Sequence, residues 1–180
     1  MSEVINYFGY GANRHPRMIA AITGRLASEL VGRPGILEGF SLAIQNIDQV
    51  PDAVLEDAPA PISPQALLRE SWDDSFRSYV IRQSKDGRVS GTIWELTQDD
   101  RERVRDWELI DFGWYKDAEG DATMEDGQQI PVVTERLGDN QVFTQDVDGS
   151  DYETWLNPVE RFETVAAKAR QEFDERTASN

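Results

Sequence analysis

The stretch Tyr7-Phe8-Gly9-Tyr10-Gly11-Ala12-Asn13-Arg14 constrains this chain more than any other. An apolar run from Val4 to Phe8 empties into a turn with two glycines, which predicts a first buried strand ending in a tight loop. Glycines allow positive φ and close backbone approach, and Asn13 tolerates the left-handed region, so successive N–H groups are able to converge on one anion. The loop is a cradle for a carboxylate or a phosphate, or it is a plain turn. A dinucleotide site is disfavoured because the third glycine of that fingerprint is missing and no regular strand–helix alternation follows. A phosphate loop fails as well, for want of a Gly-Lys-Ser/Thr after the turn.

Beyond the loop, Pro16 opens a predicted helix through about Thr23, with Met18, Ile19 and Ile22 on one side and Gly24 as its stop. Gly35 to Ile44 predicts a second core strand with a glycine bend. Residues 45–74 carry Pro51, Pro59, Pro61 and Pro64 among polar and acidic residues and form a long excursion, with a short helix from Pro64 to about Arg69. Such an excursion is either a lid over a site or a solvated insertion. Phe76–Ile81 and Val89–Leu96 follow as strands, and the Asp86-Gly87 pair between them predicts a hairpin.

Thr97 followed by Asp100 matches a capped helix start running to about Glu108. Trp114-Tyr115 begins another strand, Glu125-Asp126-Gly127 turns it into Ile130–Thr134, and Pro131 suggests an edge position. Asn157-Pro158 starts a last helix over 158–176, whose Val159, Phe162, Val165, Ala166, Ala169 and Phe173 recur at helical spacing. The expected fold is α+β, a small mixed β-barrel or sheet with flanking helices, in one domain over residues 1–180.

Composition narrows the chemistry. The chain has no cysteine and one histidine, His15, which removes thiolate nucleophiles and leaves a zinc site or a Ser-His-Asp triad poorly supplied. His15, beside Pro16, is best read as a surface or capping residue, and Asp99-Asp100 as a helix cap rather than a metal site. No metal and no cofactor are expected. With 34 acidic against 18 basic residues and a formal charge of −16, the surface repels phosphate backbones and acidic membranes, so neither nucleic acid nor membrane is an expected partner. Without a transmembrane run or a signal-peptide pattern, a soluble cytoplasmic protein is expected.

Among the acids, Glu108 stands apart. Val104 and Trp107 mark the buried face of the predicted helix, and Glu108, four residues after Val104, shares that face, whereas Glu102 and Asp106 point away. Partial burial and the negative end of the helix dipole both raise its pKa, as a general base working near neutrality requires. An ordinary polar residue at a helix end is the competing reading.

Tyr7-Phe8-Gly9-Tyr10-Gly11-Ala12-Asn13, Gly35-Ile36-Leu37-Glu38-Gly39-Phe40, Gly91-Thr92-Ile93-Trp94-Glu95-Leu96, Asp106-Trp107-Glu108 and Gly113-Trp114-Tyr115 occur in an order that resembles gamma-glutamylcyclotransferase-like proteins. The resemblance covers roughly residues 4 to 135 and implies that family's small barrel with flanking helices. It also implies that Tyr10, Gly11, Ala12 and Asn13 hold the γ-glutamyl part of a small-molecule substrate, that Glu108 is the general base, and that Tyr115 belongs to the substrate site. The implied reaction is an intramolecular aminolysis that releases 5-oxoproline and needs no nucleophile from the protein. Three positions depart from the family's pattern: Ala12 replaces the usual serine, Leu109 the glycine after the base, and Lys116-Asp117 follows Tyr115. These departures motivate a rival reading, a non-catalytic small-molecule-binding or regulatory module. A third, an enzyme acting on γ-glutamyl groups of a larger carrier, would require the excursion to form an open groove.

Overall fold

The computed structural model describes residues 3–180. Six strands, β1 (Ile5–Gly9), β2 (Gly32–Asn46), β3 (Arg77–Leu96), β4 (Tyr115–Met124), β5 (Gln129–Leu137) and β6 (Gln145–Val147), lie among these residues in the order β3-β1-β5-β4-β2-β6. β2 also pairs β3 antiparallel along almost its whole length, so the first five strands in that order close into a barrel. β6 adds to β2 at Leu42–Ile44. β1 and β5 are parallel neighbours, with Tyr7 opposite Val133, and the remaining pairings are antiparallel. Four helices flank the barrel: α1 (Pro16–Thr23), α2 (Pro64–Ser71), α3 (Gln98–Trp107) and α4 (Val159–Ala178). This is the expected α+β architecture. None of the helices among the described residues is long and apolar enough to cross a membrane.

Strand alternation sorts the core into two clusters. Phe8, Leu42, Ile81 and Ile93 point to one side and pack with Leu37, Val89 and Val132, all from strands. Their chain neighbours Tyr7, Ala43, Val80 and Trp94 point to the other, where Met18, Ile19 and Ile22 of α1, Val104 of α3 and Phe162 and Ala166 of α4 cover them. Helix starts follow local capping chemistry. His15 Nδ1 accepts the Arg17 N–H at 3.2 Å, Ser63 Oγ accepts the Ala66 N–H at 3.1 Å, and Thr97 and Asp100 form a reciprocal capping box. α1 ends at Gly24, as expected.

Two expectations need correction. Phe76–Ile81 and Val89–Leu96 are not arms of a hairpin but halves of the single strand β3, whose 20 residues run straight through Asp86-Gly87. β2 is long enough to template both halves. Phe40 pairs Gln83 and Glu38 pairs Arg88, so Ser84–Gly87 are absorbed as an enlarged bulge opposite Gly39. Pro131 is not on an edge strand either, since β5 lies between β4 and β1. The proline faces Asp121 and precedes the Tyr7–Val133 pairing, where its missing N–H takes nothing from the β1 contact. The structure adds β6 and carries the last helix two residues past Arg176.

Candidate functional site

The loop after β1 folds into a 3-10 turn over Gly11–Arg14 that the barrel grips by its backbone. A Cβ at Gly9 would lie 2.3 Å from the Asn13 carbonyl oxygen, so the turn closes only on glycine. Trp94 Nε1 donates to that same Asn13 oxygen at 2.8 Å, and Thr92 Oγ1 donates to the Arg14 oxygen at 2.9 Å. Gly11 sits at φ +59 against the Tyr79 ring. Its N–H donates to the Tyr152 hydroxyl at 3.0 Å, while the Asn13 N–H donates to the Tyr10 oxygen at 3.1 Å. Two of the four cradle N–H groups are thus engaged internally. The N–H of Ala12 makes no intramolecular hydrogen bond among the described residues.

α3 delivers Glu108. Arg101 and Val104 are buried on its inner face, and Glu108 follows at the C-cap, its N–H donating to the Val104 oxygen at 2.9 Å. Leu109 then turns the chain with φ 51. A leucine therefore holds the left-handed backbone that glycine adopts freely, at a cost of about 1–2 kcal/mol, and its carbonyl gathers the N–H groups of Phe112, Gly113 and Trp114. Asp106 does not point away to solvent. It turns toward α4 and pairs with Arg176 at 2.5 Å.

Loop and helix end meet through Asn13. Its Nδ2 donates to Glu108 Oε1 at 2.7 Å and to the Tyr7 hydroxyl at 2.9 Å, and the Tyr7 hydroxyl donates to Glu135 Oε1 at 2.6 Å. Arg101 Nη1 completes the chain on Glu135 Oε2 at 3.2 Å, and Arg101 Nη2 reaches Asp117 at 2.9 Å. The Tyr10 hydroxyl donates to the Glu135 backbone oxygen at 3.0 Å, so Tyr10 fixes the loop to β5. The Tyr115 hydroxyl donates to the Tyr79 oxygen at 3.1 Å and lies 3.0 Å from Ser78 Oγ. Tyr10, Gly11, Ala12, Asn13, Glu108 and Tyr115 all line one pocket, together with Glu135.

The electrostatics follow from this enclosure. Burial, and then the negative charge of Glu135, push the Glu108 carboxyl well above the usual carboxylate range, against the Asn13 hydrogen bond and the Arg101 charge. Glu108 is enclosed but not sealed, because part of its surface faces the pocket. Burial raises Glu135 as well, with Arg101 the main counterweight and the Tyr7 hydrogen bond a further one. Tyr7, Tyr10 and Tyr115 are pushed up chiefly by burial, so their hydroxyls remain donors near neutral pH.

Sequence reasoning missed Glu135, Arg101 and Tyr152. Glu135 had a signal. It continues the alternation Val133, Glu135, Leu137 on a strand face whose two flanking residues pack in the helix-covered core, and an acid at such a position is exceptional. Tyr152 comes from an irregular stretch after β6 and had none.

The fold has known counterparts. A solved structure of a gamma-glutamyl cyclotransferase superposes with a TM-score of 0.57 at 16% identity, covering 97% of this chain and 86% of that one. The chain has the gamma-glutamyl cyclotransferase fold. The same fold is seen in an uncharacterized Homo sapiens protein, at TM-score 0.56, 16% identity and coverage of 98% and 88%. It recurs in a protein of Arabidopsis thaliana at 0.51, 17%, 98% and 91%. No protein-family model and no curated protein matches the sequence. Within the cyclotransferase fold, the excursion becomes a pocket wall, since Leu67 and Leu68 of α2 and Trp72 after it line the same cavity as Glu108.

Proposed function

We propose that the protein is a cytoplasmic, cofactor-independent cyclotransferase that converts a γ-glutamyl amine or amino acid into 5-oxoproline. The observation carrying this reading is the 2.7 Å contact between Asn13 and Glu108, which joins the glycine loop to an acid 95 residues away inside one pocket. The fold and the raised proton affinity of Glu108 support it. In the proposed reaction the substrate's α-ammonium gives a proton to Glu108. The freed amine attacks the γ-carbonyl carbon, a tetrahedral oxyanion forms, and Glu108 passes its proton to the leaving nitrogen as its bond to carbon breaks. The ring nitrogen's second extra proton follows by way of the same carboxylate, so that the amine departs as an ammonium.

A base whose pKa lies above the carboxylate range is matched to an ammonium of pKa about 8 better than an ordinary glutamate would be. The Ala12 N–H, with no internal acceptor among the described residues, is a loop donor available to the oxyanion or to the substrate carboxylate. A serine hydroxyl has no part in this scheme, and Leu109 preserves by strain the turn that glycine would make. The decisive test is Glu108→Gln, assayed by release of 5-oxoproline from γ-glutamyl substrates. Loss of turnover by at least about 100-fold, the low end for removing a general base, is expected. Parent-like turnover would remove Glu108 from its role, and substrate binding without product in the parent itself would favour the binding-module reading.

A further inference from the structure

The pocket does not stop at the reacting end. Phe162, Val165, Ala169, Glu172 and Arg176 of α4 all line it, a stripe of one helix face that rises about 1.5 Å per residue and so extends for about 20 Å. The γ-glutamyl arm plus one amino acid spans roughly 10 Å at about 3.5 Å per residue. The stripe is therefore longer than such a substrate, and the end of α3 abuts it at both ends, Asp106 at Arg176 and Trp107 at Phe162. α2 forms the opposite wall and is strapped to α4 where Arg161 Nε donates to the Ser71 oxygen at 3.0 Å. Trp72, Trp107 and Phe162 converge there from three elements, with ring centroids 5.0 Å and 6.4 Å from Phe162.

The lining combines polar groups with a large apolar surface. Beside the loop it offers Asn13, Glu108 and the tyrosine hydroxyls. The walls from α2, the end of α3 and α4 add Leu68, Trp72, Trp107, Leu109, Phe162 and Val165. Each cation on the α4 side already has a carboxylate: Arg176 is paired with Asp106 at 2.5 Å, and Lys168 with Glu172 at 3.6 Å. Arg77, a lining cation without an ion-pair partner among the described residues, stands at the start of β3 next to Ser78, on the reacting side. A carboxylate carried between α2 and α4 would meet Glu70, which has no ion-pair partner among the described residues.

We infer that the leaving group is an apolar alkyl or aryl amine without a carboxylate of its own, lying between α2, the end of α3 and α4. This deepens the cyclotransferase reading and rests on it. The bond made joins the α-nitrogen to the γ-carbon, the bond broken joins the γ-carbon to the leaving nitrogen, and the two protons lost by the α-ammonium end on the released amine, which leaves as an ammonium. Aromatic and aliphatic walls bind the stem of such an amine by the area they remove from water.

The test pairs γ-glutamyl-hexylamide with γ-glutamylglycine as substrates of the full chain, read as kcat/KM for 5-oxoproline release. A preference of at least about tenfold for the hexylamide is expected, the low end of what one buried methylene supplies. Leu68→Glu and, as a second variant in a different wall, Val165→Glu should each collapse that ratio toward one. Preference for γ-glutamylglycine, or variants that leave the ratio unchanged, would overturn the inference while leaving the cyclotransferase reading intact. If neither compound yields 5-oxoproline, the cyclotransferase reading falls, and calorimetry with the same two compounds decides the groove. Tighter binding of the hexylamide, weakened in Leu68→Glu, upholds it, and equal binding overturns it.

Discussion

Replacing Glu108 by glutamine should make the protein more stable, and more so as pH rises. Glu108 Oε1 and Glu135 Oε1 are linked through the Asn13 amide and the Tyr7 hydroxyl by contacts of 2.7, 2.9 and 2.6 Å. The two oxygens can therefore be no more than about 8 Å apart, where two unit charges repel by about 2 kcal/mol at an effective dielectric constant near 20. Burial acts in the same direction, and Asn13 and Arg101 oppose it. The native pKa of Glu108 is thus raised above its unfolded value of about 4.3. For such a group the native state binds the extra proton, so its stabilising contribution is complete below the unfolded pKa and is lost as pH climbs through the native one.

Glutamine carries no charge at any pH and keeps an oxygen for the Asn13 amide. The stability gap between variant and parent should be near zero around pH 4 and widen to about 2 kcal/mol above the native pKa of Glu108. Urea unfolding of both proteins at pH 5, 7 and 8.5 measures it, each pair at one pH so that other titrations cancel. A gap that stays flat across this range, or a variant less stable than the parent at pH 8.5, would refute the placement of two buried carboxylates in one charge system.

Glu135→Gln, which retains acceptors for Tyr7 and Arg101, should move the acid limb of the kcat–pH profile to lower pH, because the negative charge that helps raise the Glu108 carboxyl is gone. Arg101→Met strands the Glu135 carboxylate in the core and should lower stability at pH 7 by about 3–5 kcal/mol, with partial recovery on acidification as Glu135 protonates. At the strained turn, Leu109→Gly should change the urea midpoint little, because relief of about 1–2 kcal/mol of strain offsets the lost packing. Leu109→Val, β-branched at positive φ, should be the more destabilising of the two. Gly9→Ala should abolish 5-oxoproline release and destabilise the chain by about 1–3 kcal/mol, since its methyl would collide with the Asn13 carbonyl.

What the sequence made legible was whatever is decided locally. Pro16 with His15, Pro64 with Ser63, and Thr97 with Asp100 announce helix starts because a cap needs only its own turn. Glu108 could be placed inward from Val104 by helical spacing alone. β3 escaped because its continuity depends on β2 running alongside as a template, and the Asp86-Gly87 signal has no knowledge of that partner. Glu135 escaped for a related reason: its burial is set by β5 lying beside β1 and by Arg101 arriving from α3. Asp106 was misjudged because its partner, Arg176, is 70 residues away on α4.

The closing of the barrel also fixes when the pocket can exist. Asn13 and Glu108 are 95 residues apart and Tyr7 and Glu135 are 128 apart, so no short stretch of the chain holds both sides of the site. Loops of that span close late, and chains dominated by such pairings refold on the millisecond to second scale. Ligand affinity should accordingly return in the final kinetic phase of refolding, together with β1 zipping between β3 and β5. Amide exchange at Asn13 and Glu108 should report opening of the entire barrel rather than local breathing. A chain in which β1 has not yet joined β3 and β5 should therefore bind no ligand at this site.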